Sequence, residues 1–209
     1  MYKAILVTMS VLGCSQLTYA DAPVIPAEAQ EAAPAMIAPS VAKTKSITFL
    51  GESFEFKDKV DNPLGPMYEF FIPSKSTTAW DELVSVGIYT PNLENHGPKD
   101  YATNTVNGFK QRFPKSPSEI FADTTSTRVI ADVMYPISTR ADGKFMEFDA
   151  FLFYTDPVTS KVMNIHYAKN IALDPYRTGG KPMSELESTI TNVRQQALKE
   201  LMQAKLYTP

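Results

Sequence analysis

The stretch FMEFDAFLFY, residues 145–154, decides how this chain folds. Met146, Phe148, Ala150, Leu152 and Tyr154 share one face, with Glu147, Asp149 and three phenylalanines on the other. That is the period of two that marks a strand. Two further β-type runs flank it: RVIADVMY (128–135), closed by Pro136, and KVMNIHYAKNI (161–171). Ala141-Asp142-Gly143 places an Asp-Gly hairpin dipeptide before the central run, and Asp156-Pro157 opens the turn after it. Strands joined by turns this short pair antiparallel.

Upstream, ITFLGESFEF (47–56) is β-rich around Gly51, which predicts a hairpin or bulge there. DNPLGP (61–66) reads as a loop, and MYEFFI (67–72) as a strand stopped by Pro73. In LVSVGIY (83–89), Val84, Val86 and Ile88 alternate with Leu83, Ser85, Gly87 and Tyr89, the pattern of a half-buried strand. A short run at 119–122 is expected to pair at an edge. Pro98 suits the first position of a helix. Ala102, Val106, Phe109 and Phe113 then form an apolar helical stripe, ended by Pro114. A last helix carries Leu186, Ile190, Val193, Ala197 and Leu201, and Ser184-Glu185-Leu186-Glu187 has the form of a capping box. The expected fold class is therefore α+β. An antiparallel sheet packs against amphipathic helices in an α/β/α sandwich-like layout, not a doubly wound one.

The chain has 209 residues, enough for one domain with tails, and 44% of them are hydrophobic, enough for a packed core. Formal net charge is -3 and no Lys/Arg cluster stands out beyond Lys110, Gln111, Arg112 and Lys115. Phosphate contacts supply most nucleic-acid affinity, so a nucleic-acid partner is not expected.

Residues 1–20 read as a secretory signal: Lys3, then the apolar run AILVTMSVL (4–12), broken by Gly13. The run is too short to span a bilayer. Two processing sites compete. Thr18-Tyr19-Ala20 ahead of Asp21 suits a signal peptidase, whereas Val11-Leu12-Gly13-Cys14 resembles a lipobox with Cys14, the chain's single cysteine, as lipid acceptor. Neither choice permits an internal disulfide, so the core alone must stabilise the fold. Residues 21–45 contain Pro23, Pro26, Pro34 and Pro39 among alanines and read as a disordered spacer. A rival reading places a short helix over residues 27–33, limited by proline on both sides. The folded domain is expected to cover 46–209. Its compartment is expected to be periplasmic or secreted, or else the membrane surface through lipid on Cys14.

The chain resembles the PsbP-like class of α/β/α sandwiches, and among them small exported bacterial proteins of that layout. The residues behind the resemblance are Tyr68-Glu69-Phe70-Phe71-Ile72-Pro73, Trp80 leading into Leu83-Val84-Ser85-Val86, Val129-Ile130-Ala131, Glu147-Phe148-Asp149-Ala150-Phe151 and the terminal helix. The resemblance spans about residues 67–206. It implies a non-catalytic, partner-binding module and brings no active-site residues.

No motif assigns a catalytic, cofactor-binding or metal residue. The two histidines, His96 in a Gly/Pro/Asn loop and His166 in a strand, lack zinc-ligand spacing. Gly51-Glu52-Ser53 lacks the second glycine of a nucleophile elbow, and Gly179-Gly180-Lys181 lacks the rest of a P-loop. Glu147 and Asp149 share a strand face, as do Arg128 and Asp132 on the strand before; cross-strand charge pairing accounts for such groups on a sheet. The aromatic residues divide between core and a partner or ligand surface, for which Trp80, Tyr89, Phe151 and Phe153 are the candidates. The expected role is an exported envelope accessory protein that binds a protein partner and is not an enzyme. The alternative is a carrier or sensor of a small apolar ligand in the periplasm. A hydrolase using Glu147, Asp149 or His166 comes third.

Overall fold

A computed structural model describes residues 38–73, 81–90, 96–122, 125, 127–137 and 143–209. The signal segment with Cys14, residues 21–37 of the spacer, and Trp80 lie outside the described residues. After a single 3-10 turn at Val41–Lys43 the chain forms β1 (Ser46–Phe49), β2 (Glu52–Asn62), β3 (Gly65–Phe71) and β4 (Glu82–Ile88). The helix α1 (Pro98–Arg112) follows, then β5 (Ser118–Ala122), β6 (Arg128–Tyr135), β7 (Phe145–Thr155) and β8 (Val162–Ala172). The one-turn α2 (Asp174–Arg177) and the long α3 (Met183–Gln203) close the chain.

All eight strands join one sheet in the order β1-β2-β3-β4-β8-β7-β6-β5, antiparallel at every junction. The topology is two four-strand meanders. After β4 the chain crosses through α1 to the far edge, returns strand by strand, and docks β8 against β4. β4 is therefore central. It is buried on both faces from Leu83 to Ile88, where alternation alone predicts one.

The expected sandwich of helix layers on a sheet is not what the chain builds. Among the described residues strand accounts for 43% and helix for 29%, and the sheet curls into a half-barrel. The physical reason lies in β2 and β3. Residues 61–66 read as a loop by composition, yet the turn takes up little more than Pro63 and Leu64, so β2 runs for 11 residues and β3 begins at Gly65. Long hairpins add strand and twist, and a bulge between Phe56 and Asp58 adds local bend. The helices are on opposite faces but pack chiefly on one half of the sheet: α1 on β5, β6 and β7, and α3 on β6, β7 and β8.

The larger core lies on the α3 side. Phe54, Phe70, Val84, Val86, Phe148, Leu152 and Ile165 meet Leu186, Val193, Ala197 and Leu201 of the helix stripe, with Ile190 packed alongside. The smaller core sets Ala102, Val106 and Phe109 of α1 on Val129, Ala131, Val133 and Phe153. The anticipated capping box does not form. Pro182 is the N-cap and Ser184 already sits inside α3, where its carbonyl takes the Ser188 hydroxyl at 3.1 Å.

Residues ahead of Ser46 join the domain. Val41 is 1% exposed, its N–H donates to Thr208 at 2.8 Å, and Thr208 donates to Pro39 at 3.0 Å. Tyr154 holds the C-terminal strand of this clasp: its hydroxyl donates to the Tyr207 carbonyl and accepts the Tyr207 N–H, each at 3.0 Å. Burial raises its pKa well above the usual phenol range, so the hydroxyl keeps its proton. Tyr154→Phe strands both Tyr207 groups in a buried setting. Urea denaturation is expected to show a loss of about 1–3 kcal/mol, with the midpoint shifted and the slope unchanged.

β2 continues past the last backbone bond from β1, the Phe56 N–H to Lys45 carbonyl at 2.8 Å. Beyond it Lys57, Asp58, Lys59 and Asp61 line the strand, with Lys59 and Asp61 paired at 2.9 Å. Charges and a bulge are the features by which proteins keep an edge from pairing with another chain.

Candidate functional site

Strand order brings together residues far apart in the chain. On the α1 side, one register row crosses the sheet: Asp58 of β2, Glu69 of β3, Ser85 of β4, His166 of β8, Phe151 of β7 and Ala131 of β6. Asp149 lies two residues before Phe151 and so shares its face. Ser85 Oγ is 3.2 Å from His166 Nδ1, and His166 Nε2 is 3.4 Å from Asp149 Oδ2, outside hydrogen-bonding geometry. The His166 ring stacks on Phe151 at 4.4 Å and 7°, and Phe151 stacks on Phe153 at 6.0 Å and 22°. The stack thus starts in the core beneath α1 and ends at the imidazole, whose side chain keeps 16% of its surface.

Carboxylate, imidazole and hydroxyl in line is the order of an activated nucleophile. The surroundings do not support attack. Ser85 is 1% exposed and sits mid-strand. Its strand neighbours are paired on both sides, so their amides are committed to the ladder and not aimed at a developing oxyanion. The arrangement ties three strands together on a face that α1 leaves open, and presents Glu69, His166 and Phe151 half-buried at its surface.

The charge of this strip is mostly acidic. Burial pushes Glu69 above the ordinary carboxylate range, the Asp58 carboxylate opposite pushes it further, and His166 pulls it back. A carboxyl whose folded pKa is raised adds stability that is full below its unfolded value near 4.5 and is lost as pH rises through the folded value. Glu69→Gln is therefore expected to raise the melting temperature at pH 7 and leave it unchanged at about pH 4. Thermal melts at the two pH values check this; a lower Tm at pH 7 would show the charge to be favourable.

The other sequence candidates scatter. Of the three hydrolase residues, Asp149 and His166 meet, whereas Glu147 lies one row away opposite Tyr135 and Asn170. Arg128 and Asp132 do not pair: Arg128 donates to the Met202 carbonyl at 2.9 Å, and Asp132 binds Arg194. His96 is exposed just ahead of α1. Phe153 is core, 0% exposed, because α1 lies over it. Tyr89 packs on Tyr101 at 4.3 Å, and burial, then Tyr101, pushes its hydroxyl to about 12. Of the three surface candidates among the described residues, Phe151 alone belongs to the strip. Glu69 and Ser85 carry no motif. The one trace in sequence is a serine inside an otherwise apolar strand, and its partner lies 81 residues away.

Among the described residues, no group of three or more His, Cys, Asp or Glu stands together as a metal site, and no helix is long and apolar enough to cross a membrane. A protein-family model matches residues 41–206, which spans the folded domain. No curated protein and no solved structure matches.

Proposed function

The chain belongs to the family whose model spans residues 41–206, and we propose that it is an exported envelope accessory protein that binds a protein partner and performs no chemistry. One observation carries this: the hydroxyl of the only in-line nucleophile arrangement among the described residues is sealed, while the groups around it remain half-open. A strip of that kind suits recognition, where aromatic and charged groups meet a partner surface. A photoreactive phenylalanine analogue in place of Phe151 is expected to give one discrete adduct with an envelope protein. The same analogue in place of Met202, 36% exposed on α3, serves as control. Adducts of equal yield and pattern from both positions would sink the proposal.

Several of the aromatic residues that motivate a ligand carrier are spent in the core: Phe148, Phe153 and Tyr154 are at most 1% exposed. Export rests on residues 1–20. With lipid on Cys14, the residues between it and the clasp at Pro39 become a tether with a root-mean-square reach of about 25–30 Å. Cleavage after Ala20 instead gives a soluble protein starting at Asp21. Cys14→Ser is expected to leave fractionation unchanged, with the mature mass starting at Asp21. Release of the variant from the membrane fraction, with precursor accumulating, would establish the lipid anchor instead.

A further inference from the structure

The open strip holds charge that is unfavourable for the domain by itself. Asp58 and Glu69 stand directly opposite across β2 and β3, and like charges in that position repel. Asp149 is 5% exposed, and its Oδ1 is buried with no hydrogen-bond partner. Native proteins rarely leave such an atom unmatched. Between these carboxylates runs the Phe153–Phe151–His166 ring stack, reaching the surface at His166. His166 is the one basic side chain in the row itself.

These parts fit one chemistry. A planar cation stacks on aromatic rings and offers paired N–H donors to a carboxylate, and a guanidinium does both. An ammonium supplies charge without the stacking plane. Resting on the partner-binding role above, we infer that the strip formed by Glu69, His166, Phe151 and Asp149 receives an arginine side chain projecting from the protein partner. Glu69, half-buried at the surface, makes the contact. Asp149 supplies a second negative charge from beneath, in a setting where charges act more strongly than in water. His166 supplies the stacking plane on the ring face that Phe151 does not cover, and Phe151 backs the imidazole from the other side.

The test titrates the full chain with two peptides of equal length and charge, Gly/Ser repeats carrying either arginines or lysines. The arginine peptide is expected to bind at least about tenfold tighter. Glu69→Gln and Asp149→Asn should each weaken it by about tenfold, and His166→Leu should erase the preference for arginine while sparing the lysine affinity. Melting curves check that each variant folds; where Asp149→Asn does not, Glu69→Gln decides. Equal affinity for the two peptides, or arginine binding indifferent to Glu69→Gln, overturns the inference. A partner that crosslinks at Phe151 but binds the Glu69→Gln variant unchanged keeps the partner-binding role and removes the arginine contact. Arginine-selective peptide binding without any envelope adduct does the reverse.

Discussion

Arg194→Met is expected to destabilise the domain by about 3–5 kcal/mol. Arg194 reaches from α3 to the sheet edge, where Nε donates to Asp132 Oδ2 at 2.5 Å and Nη2 donates to Glu119. Its guanidinium lies over the Phe121 ring at 5.4 Å. Asp132 is 3% exposed, and its other oxygen accepts the Glu119 N–H at 3.1 Å. One side chain thus fastens α3, β5 and β6 together. Methionine keeps much of the volume but leaves a buried carboxylate without its counter-charge, and that loss dominates. The pH dependence follows from Asp132, whose pKa burial raises above 3.8 while Arg194 and the Glu119 N–H pull it down. Removing Arg194 raises it further. A raised carboxyl contributes stability that is full below the unfolded value and lost as pH rises through the folded one. The deficit of Arg194→Met is therefore largest at pH 7 and shrinks as pH falls toward 3.8. Urea denaturation across that range measures it. A loss below about 1 kcal/mol at pH 7 would make the clamp an ordinary surface pair.

Gly65→Ala is expected to cost at least about 3 kcal/mol, or to prevent folding. Gly65 has φ +129, and an added Cβ would lie 2.0 Å from the Ile88 carbonyl oxygen and 3.0 Å from the Thr90 nitrogen. Both are backbone atoms fixed by the sheet and by the Thr90 N–H to Leu64 carbonyl bond at 2.7 Å, so no side chain can rotate away. Gly51→Ala is the matched control. Its φ is +79, but nothing lies within 4 Å of the added Cβ. It should show backbone strain alone, about 1–2 kcal/mol. Comparable losses at the two positions would mean that the β2–β3 turn yields to the extra atom.

Local pattern served well where it was strong. RVIADVMY forms a strand over the same residues, 128–135, and Leu186, Val193, Ala197 and Leu201 are the buried face of α3. It failed where composition misled. Residues 61–66 look like a loop by composition, yet a tight turn leaves both flanking strands long. Ser184 and Glu187 match a capping box, but the helix starts two residues earlier, at Met183 with Pro182 as its N-cap. Neither error is visible in hydrophobic periodicity, since both depend on where backbone hydrogen bonds begin.

Residue pattern by itself determined the strand-rich second half, the two amphipathic helices, an N-terminal stretch with the form of an export signal, and the lack of a nucleotide or zinc motif. These follow from short-range rules: alternation, helical spacing, composition. The order of strands in the sheet, the half-barrel in place of a sandwich, and the row from Asp58 to Phe151 came only from tertiary structure. Period-two alternation says which face a residue takes within its own strand and nothing about which strand lies beside it. Ser85 meets His166 because β8 returns to dock on β4 after the chain has crossed through α1 to the far edge, a pairing that only the summed packing of both faces selects.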